Sequence, residues 1–476
     1  MVKYALLMVL LSPSLLFAQA EQNPQQKPLV ISRVTVIDAT GAPAQPNMTV
    51  VITGDRITAL GRDGKVSVPR EAQETNGTGK FLIPGLWDMH VHWSDPAAAK
   101  YLELFTAGGV TGVRQMWGFP VHFQWRKDIA AGTVRGPRMV LAGAIVDGPK
   151  PVWKGSIEAK TEAEGRQAVR TTKEDGYDFV KVYSRLPRDV YLAIADEAKK
   201  QSMPFGGHVP YSVTAGEASD AGQKSMEHLY GILLACSSRE EELTKLLAAA
   251  RQDPAKPDRA MLRRANEQLL DTYDDAKAAV LFAKFKKNGT WQVPTLTVLR
   301  ALGNLDDKDF VADKRLKYMP PSVRDFWNPK TDFRLMSMTE EDYALQRKVF
   351  KRNLGLVGAM HRAGVEFLAG TDVLNPYCFP GFSLHDELEL LVSAGLSPMA
   401  ALQTATRNPA RYLGQEKDFG TVAQGKLADL VLLDADPLQD INNARKIASV
   451  IVGGKILTRE MLDKLLTDIE AEANKK

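Results

Sequence analysis

Between residues 81 and 372, short apolar runs alternate with longer stretches whose apolar positions recur at helical spacing. Eight of the short runs read as strands: "FLIPGLWDMHVH", "GVTGVRQM", "RMVLAGAI", "DFVKVY", "PFGGHVP", "SMEHLYG", "TWQVPTL" and "EFLAGTD". Amphipathic segments such as "DVYLAIADEAKKQ" and "SLHDELELLVSAG" separate many of them. That alternation is the signature of parallel βα units, and a span of about 300 residues predicts an α/β fold built on a (β/α)8 TIM-like barrel. The longest interruption, about 237 to 288, is charged and helical. It reads as a helical wall beside the pocket, or else as solvated decoration.

Residues 29 to 80 differ in texture: runs such as "LVISRVTVID" and "MTVVITGDRITALG" alternate at strand spacing between turns. The same texture returns at 420 to 457, in "GTVAQGKLADLVLLDADP" and "IASVIVGGKIL". The two ends are therefore expected to build one small β-sandwich domain together. The organisation that follows is a signal peptide at 1 to 20, a first β part at 21 to 80, the barrel at 81 to 414, and a second β part at 415 to 476. The last stretch, "LDKLLTDIEAEANKK", predicts a surface helix.

Composition narrows the class. Apolar residues make up 44% and charged residues 25% of 476, ordinary values for a folded soluble chain. With 61 basic against 57 acidic residues and no basic segment interleaved with aromatics, a nucleic-acid partner is not expected. Lys3, the apolar run "YALLMVLLSPSLLFA" and "AQA" at 18 to 20 have the parts of a secretory signal. Export to a periplasm or beyond is expected, with no membrane attachment after cleavage; an uncleaved anchor is the alternative. In an oxidising compartment the only two cysteines, Cys236 and Cys378, are a candidate disulfide that would tie two loops of the catalytic side together. Two buried, reduced thiols are the other reading.

The candidate chemistry lies at strand ends. His90 and His92 are two apart and project to one face of a strand. Barrel active sites are built at the C-terminal ends of strands, where His208, His228, Asp372 and Lys181 also fall. Imidazoles and a carboxylate from several strands can converge on divalent cations, and the mixture suits zinc better than calcium or magnesium. Lys181 needs a reason, since an ammonium inside a barrel is costly to desolvate. It can react with carbon dioxide to form an anionic carbamate that bridges two cations, or it can pair with Asp372. No HExxH, GxSxG, GxxxxGK[ST] or SxxK motif is present, which removes the zinc-protease, serine-hydrolase and P-loop readings.

The order of HxH, a strand-four Lys, a strand-five His, a strand-six His and a strand-eight Asp resembles the amidohydrolase superfamily. "LIPGLWDMHVH", "MEHL", "LAGTDV" and "GTVAQGKLADLVLLDADP" are similar to its prolidase-like and imidazolonepropionase-like members. The resemblance implies that His90, His92 and Asp372 bind the more buried of two metals, that His208 and His228 bind the more exposed one, and that carboxylated Lys181 bridges them. It further implies hydrolysis by a hydroxide held between the cations, with Asp372 moving the proton to the leaving group. Strand five departs from the pattern with a single His in "GGHVP", so His208 is assigned by position.

Around this set, Tyr183 and Tyr230 follow Lys181 and His228 by two, and can steady an oxyanion or hold a substrate carboxylate. Trp93, Trp117 and Tyr211 also follow strand ends, which suggests an aromatic-lined pocket. Arg114 and Arg185 are candidate carboxylate binders, with a surface or structural ion pair as the favoured alternative for each, and His385 is a candidate catalytic residue just past strand eight. His122 and His361 are read as loop and helix residues. The expected activity is that of a hydrolase cleaving the amide of an Xaa-Pro dipeptide or N-acyl amino acid. The same site could serve a lactone, ester, carbamate or urea, and a binding protein without turnover is the third reading. A small molecule is the expected partner; self-association into a homo-oligomer is left open.

Overall fold

The computed structural model describes residues 27 to 475 apart from 94, 95, 253–256 and 333. The signal peptide expected at 1 to 20 lies outside the described residues. The first part of the chain forms β1 (Leu29–Val36), β2 (Gln45–Thr53), β3 (Arg56–Arg62), β4 (Gln73–Asn76) and β5 (Phe81–Pro84). The barrel follows as β6 (Leu86–Val91), β7 (Val110–Gln115), β8 (Arg138–Asp147), the short β9 (Ile157–Glu158), β10 (Phe179–Val182), β11 (Phe205–Gly207), β12 (Ser225–Glu227) and β13 (Trp291–Val293). The chain then returns to the first sheet as β14 (Leu430–Leu433), β15 (Ile447–Val452) and β16 (Lys455–Thr458).

The two chain ends share one eight-stranded sheet in the order β16-β15-β14-β5-β1-β2-β3, with β4 beside β1. Its inner face is a core of Ile31, Val34, Val50, Ile57, Leu82 and Leu430. The run from Phe81 to His92, read from sequence as one strand, is two. Phe81–Pro84 pairs with β14, and Leu86–Val91 pairs with β7 in the barrel. The break falls at Gly85, where a Cβ would stand 2.2 Å from Thr111 Oγ1, so only glycine lets the chain cross between the sheets.

In the barrel β6, β7, β8, β10, β11, β12 and β13 are parallel neighbours in that order. The eighth expected strand is an irregular segment that closes the ring through single bridges, Gln292 to Phe367 on one side and Val91 to Val373 on the other. Met89 N donates to Ala369 O and Asp372 N to His90 O. Asp88 seals this seam: its buried carboxylate accepts from Thr371 N (3.0 Å), Thr371 Oγ1 (2.6 Å) and His90 N (3.2 Å). Burial pushes Asp88 up to about 7 against the pull of those donors.

The insertion after β12 is three helices, Glu240–Ala250, Arg259–Asp271 and Asp275–Asn288. A second helical stretch that the sequence pattern did not single out, 296 to 326, follows β13 and leads to the long helix Glu340–Arg362. No helix among the described residues is long and apolar enough to cross a membrane. Cys236 and Cys378 are both free thiols, fully buried, so of the two readings the buried, reduced pair is the one found and the candidate disulfide is not formed. Burial pushes the Cys236 thiol up to about 12.

Candidate metal centre

Strand alternation sends His90 into the barrel from β6, with His92 just beyond the strand end on the same side. Their Nε2 atoms are 3.1 Å apart. Asp372, at the end of the closing segment, brings Oδ1 to 3.3 Å from His90 Nε2 and 3.1 Å from His92 Nε2. Its Oδ2 lies 3.8 Å from His228 Nδ1. One ligand atom from each of His90, His228 and Asp372 lies within 4.8 Å of the others. His208 faces His228 edge-on, with ring centres 4.8 Å apart, and its Nδ1 meets the Ser184 hydroxyl at 2.8 Å.

The second layer fixes which atoms face inward. His90 Nδ1 lies 2.8 Å from Glu227 Oε2, so the ring donates there and Nε2 keeps its lone pair. Glu227 Oε1 in turn accepts from Arg114 Nη2 (2.9 Å) and Ser225 Oγ (2.7 Å). Burial, reinforced by Lys181, holds His90 and His208 well below the usual imidazole value, and burial brings His228 down to about 3. Neutral imidazoles are the form that binds metal. Burial alone would raise Asp372, but His228, His92 and Lys181 around it hold it below the ordinary carboxylate value.

Two orphaned atoms complete the picture. Lys181 is fully buried on β10, yet its Nζ has no hydrogen-bond partner among the described residues. The expected alternative, an ion pair with Asp372, is absent from the ion pairs observed. Burial brings the ammonium down to about 8 although Glu227 and Asp372 favour its charge. Asp372 Oδ1 likewise accepts no well-directed hydrogen bond. Ligand atoms about 2.1 Å from one ion stand roughly 3.0–3.4 Å apart, the spacing seen among His90, His92 and Asp372. The donor set fits a divalent cation there.

The backbone at this rim is strained. His228 (φ 63°), Leu229 (φ 59°), Thr295 (φ 46°) and Asp372 (φ 63°) all adopt the left-handed region, which costs a residue with a Cβ of the order of 1 kcal/mol or more. For His228 the consequence is direct. It lies past β12 and turns back toward His90 (ring centres 4.6 Å), although its neighbour Glu227 also points inward. Strict alternation would put the two on opposite faces.

Above the ligands is a cavity of about 780 Å3 lined by His92, His208, His228 and Asp372. Tyr183, Tyr230, Trp117, Tyr211 and Arg185 also line it, as the sequence predicts for pocket residues. Tyr183 stacks on His208 at 3.9 Å and receives a hydrogen bond from Trp153 Nε1 at 2.8 Å. Burial pushes the Tyr183 phenol up, so it keeps its proton as a donor, while Tyr230 is exposed to the open cavity that it lines. Trp93 is buried rather than pocket-lining, and His122 sits in the first turn of the helix Pro120–Ala131.

Two expected site residues are elsewhere. Arg114 is fully buried beneath the ligands, its donors spent on Glu227, Ser225, Tyr412 and Met89 O, so it cannot meet a substrate. His385 is buried in the helix Ser383–Ser393, where its Nε2 bonds Gly108 O, and it does not line the cavity. Arg334, which the sequence reading did not single out, stands in a segment without strand or helix periodicity. It lines the cavity 5.3 Å from the Trp153 ring. Asp332 holds its Nε and Nη2 (3.0 and 2.6 Å), and its Nη1 donates to Asn375 Oδ1 at 2.6 Å. Glu227 was also missed, though it stands beside His228 in "MEHL"; an acid directly before a candidate ligand at a strand end was the available signal.

A family model described as the amidohydrolase family matches residues 81–457. The fold superposes on that of a bottromycin amidohydrolase over 94% of this chain and 91% of that one, with a TM-score of 0.74 at 25% identity. A Xaa-Pro dipeptidase solved with methionine in its active site shares the fold over 91% of this chain and 100% of that one, with a TM-score of 0.65 at 21% identity. The 5-methylthioadenosine/S-adenosylhomocysteine deaminase of Thermoanaerobacter pseudethanolicus is 21% identical over 465 residues, 90% of this chain and 95% of that one.

Glu227→Gln removes the charge that orients His90 while keeping its shape. It is expected to weaken zinc binding about 10- to 100-fold in competition with a chromogenic chelator, with the circular dichroism spectrum retained. Unchanged affinity would mean that the Glu227–His90 contact does not orient a ligand.

Proposed function

The chain belongs to the amidohydrolase family, and from that premise we propose that it is an exported dinuclear-metal hydrolase cleaving the amide of a small carboxylate-bearing substrate, an Xaa-Pro dipeptide or N-acyl amino acid. The observation that carries the reading is the convergence of His90, His92, His228 and Asp372 beside a buried lysine nitrogen with no partner. His90, His92 and Asp372 would hold one cation and His208 and His228 a second. Zinc is the expected ion for such a set. Loss of one proton would free the Lys181 amine, and addition of carbon dioxide to Nζ with loss of a second proton would turn the orphaned cation into a carbamate anion with two oxygens able to hold divalent cations. Bound there, divalent cations supply Lewis acidity and make water a nucleophile near neutral pH.

The chain's own groups do the rest. Asp372, kept ionised by its neighbours, takes a proton from the attacking water and passes it to the leaving nitrogen. Tyr230 and Tyr183 offer phenolic donors toward the carbonyl oxygen or the substrate carboxylate. Water is added across the C–N bond, yielding a carboxylic acid and a free amine. Arg334 is the group proposed to receive the substrate carboxylate. Three of the five N–H donors of a guanidinium are spent on Asp332 and Asn375, which leaves two on a side chain one quarter exposed to the cavity. Export rests on the first twenty residues; N-terminal sequencing of the exported protein is expected to begin at Glu21, and a start at Met1 would contradict it.

Incubation of the zinc- and bicarbonate-treated protein with a mixed library of Xaa-Pro dipeptides, N-acyl amino acids, lactones and carbamates, read by mass spectrometry, tests the reading. Chelator-sensitive release of free amino acids is the expected result. Turnover of lactones or carbamates alone would move the same site to ester or carbamate chemistry, and no turnover would contradict the hydrolase. Arg334→Ala is expected to raise KM for the preferred carboxylate substrate about thirtyfold, equivalent to about 2 kcal/mol for a lost charge-assisted hydrogen bond, and to change KM for its neutral carboxamide far less. Equal effects on both would remove Arg334 from carboxylate binding.

A further inference from the structure

The cavity is larger than a dipeptide requires. At about 780 Å3 it falls within the range of about 300 to 1,000 Å3 typical of sites that enclose drug-sized ligands. One end is the metal centre. The other runs between the helices Glu240–Ala250, Arg259–Asp271, Leu296–Leu302 and Glu340–Arg362, which carry none of the candidate ligands.

Apolar side chains form the larger part of that far end, interspersed with Arg259, Arg263, Asn266 and Gln346. Leu247, Leu262, Leu299, Leu302, Val349 and Phe350 line it. Several polar groups on the same helices are already engaged: Asn266 donates to Leu262 O at 3.0 Å, Arg263 pairs with Asp342 at 3.2 Å, and Arg259 donates to Arg334 O at 2.9 Å. Apolar side chains facing an open, water-filled space forgo the burial that would stabilise the helices, and an apolar ligand restores it. The rim continues the pattern, with the cavity-lining Tyr211 and Phe326 at 47% and 45% exposure. The insertion therefore adds apolar surface where the barrel alone would leave solvent.

Charge gives the direction. Arg334 stands near the ligand end: its Nη1 donates to Asn375 Oδ1 at 2.6 Å, three residues beyond Asp372. We propose that this annex is an acyl-chain subsite, and that the substrate is an N-acyl amino acid carrying an alkyl chain of about eight carbons or more, its carboxylate at Arg334 and its chain between the helices. This rests on the amide-hydrolase reading and names its substrate class. Hydrolysis then adds water to the amide, releasing the fatty carboxylate and the protonated amino acid.

The test is a series of N-acyl glycines from acetyl to dodecanoyl with the full chain. KM is expected to fall up to about fourfold per methylene, the value for a fully buried CH2, until the annex is filled, and then to level off. A second readout needs no turnover: with a chelator present, dodecanoylglycine is expected to bind at least a hundredfold more tightly than acetylglycine by calorimetry. Leu299→Trp, which fills the annex, is expected to move the optimum to shorter chains. Hydrolysis of acetyl- and dodecanoylglycine with equal KM would overturn the subsite and leave the hydrolase standing. Long-chain binding with no hydrolysis of any member would support the subsite and overturn the hydrolase. Preference only for bulky aryl or peptidyl groups, with no chain-length trend, would also overturn the alkyl assignment.

Discussion

A single carboxylate inside the barrel, Glu227, is shared between Arg114 and His90, and the geometry of the site follows from it. All three side chains are fully buried, where an unpaired charge is costly and removing one partner of a buried pair typically costs about 3–5 kcal/mol. Because Glu227 takes the proton-bearing Nδ1 of His90, the lone pair of Nε2 faces Asp372 and His92. Because Arg114 takes the other oxygen, Glu227 cannot swing out and compete as a ligand. Tyr412, from the helix Arg407–Leu413, closes the bottom of this column with its hydroxyl on Arg114 at 2.9 Å.

The rim above is organised by a different means. β11, β12 and β13 are three residues each, so the chain leaves the barrel early and the site residues His208, His228 and Thr295 lie beyond the strand ends. Left-handed turns at His228, Thr295 and Asp372 then aim side chains that strand geometry would not. His228 Nδ1 meets Thr295 Oγ1 at 2.7 Å, so two strained residues hold each other. Next to them Gly207, whose Cβ would stand 2.1 Å from Val182 O, lets β11 approach β10 closely just before His208. Strain of this kind persists only where packing enforces it, and here the enforcement comes from the buried column beneath.

Much of this was legible in the sequence. The alternation of strand-like and helical runs carries the barrel, and the matching texture at residues 29 to 80 and 420 to 457 carries the sheet shared by the two ends. The residues at 90, 92, 181, 208, 228 and 372 stand out because each is polar at the end of an apolar run. Three things were hidden. Arg114 reads as a surface-competent cation, and only tertiary contact shows it spent on Glu227. Arg334 sits in a loop with no period, so nothing local connects it with Asp372. Gly85 splits one apparent strand into two because the neighbouring sheet, not the local sequence, decides where Phe81–Pro84 pairs.

Lys181, buried and without a hydrogen-bond partner among the described residues, is the residue proposed to bridge a two-cation site. A crystal structure of the protein grown with zinc and bicarbonate, with diffraction recorded on either side of the zinc absorption edge, tests it most directly. The account predicts two anomalous peaks between His90, His92, Asp372 and His208, His228, with density for a carboxylate continuous with Lys181 Nζ. A single peak above an unmodified Lys181 paired with Asp372 would contradict it.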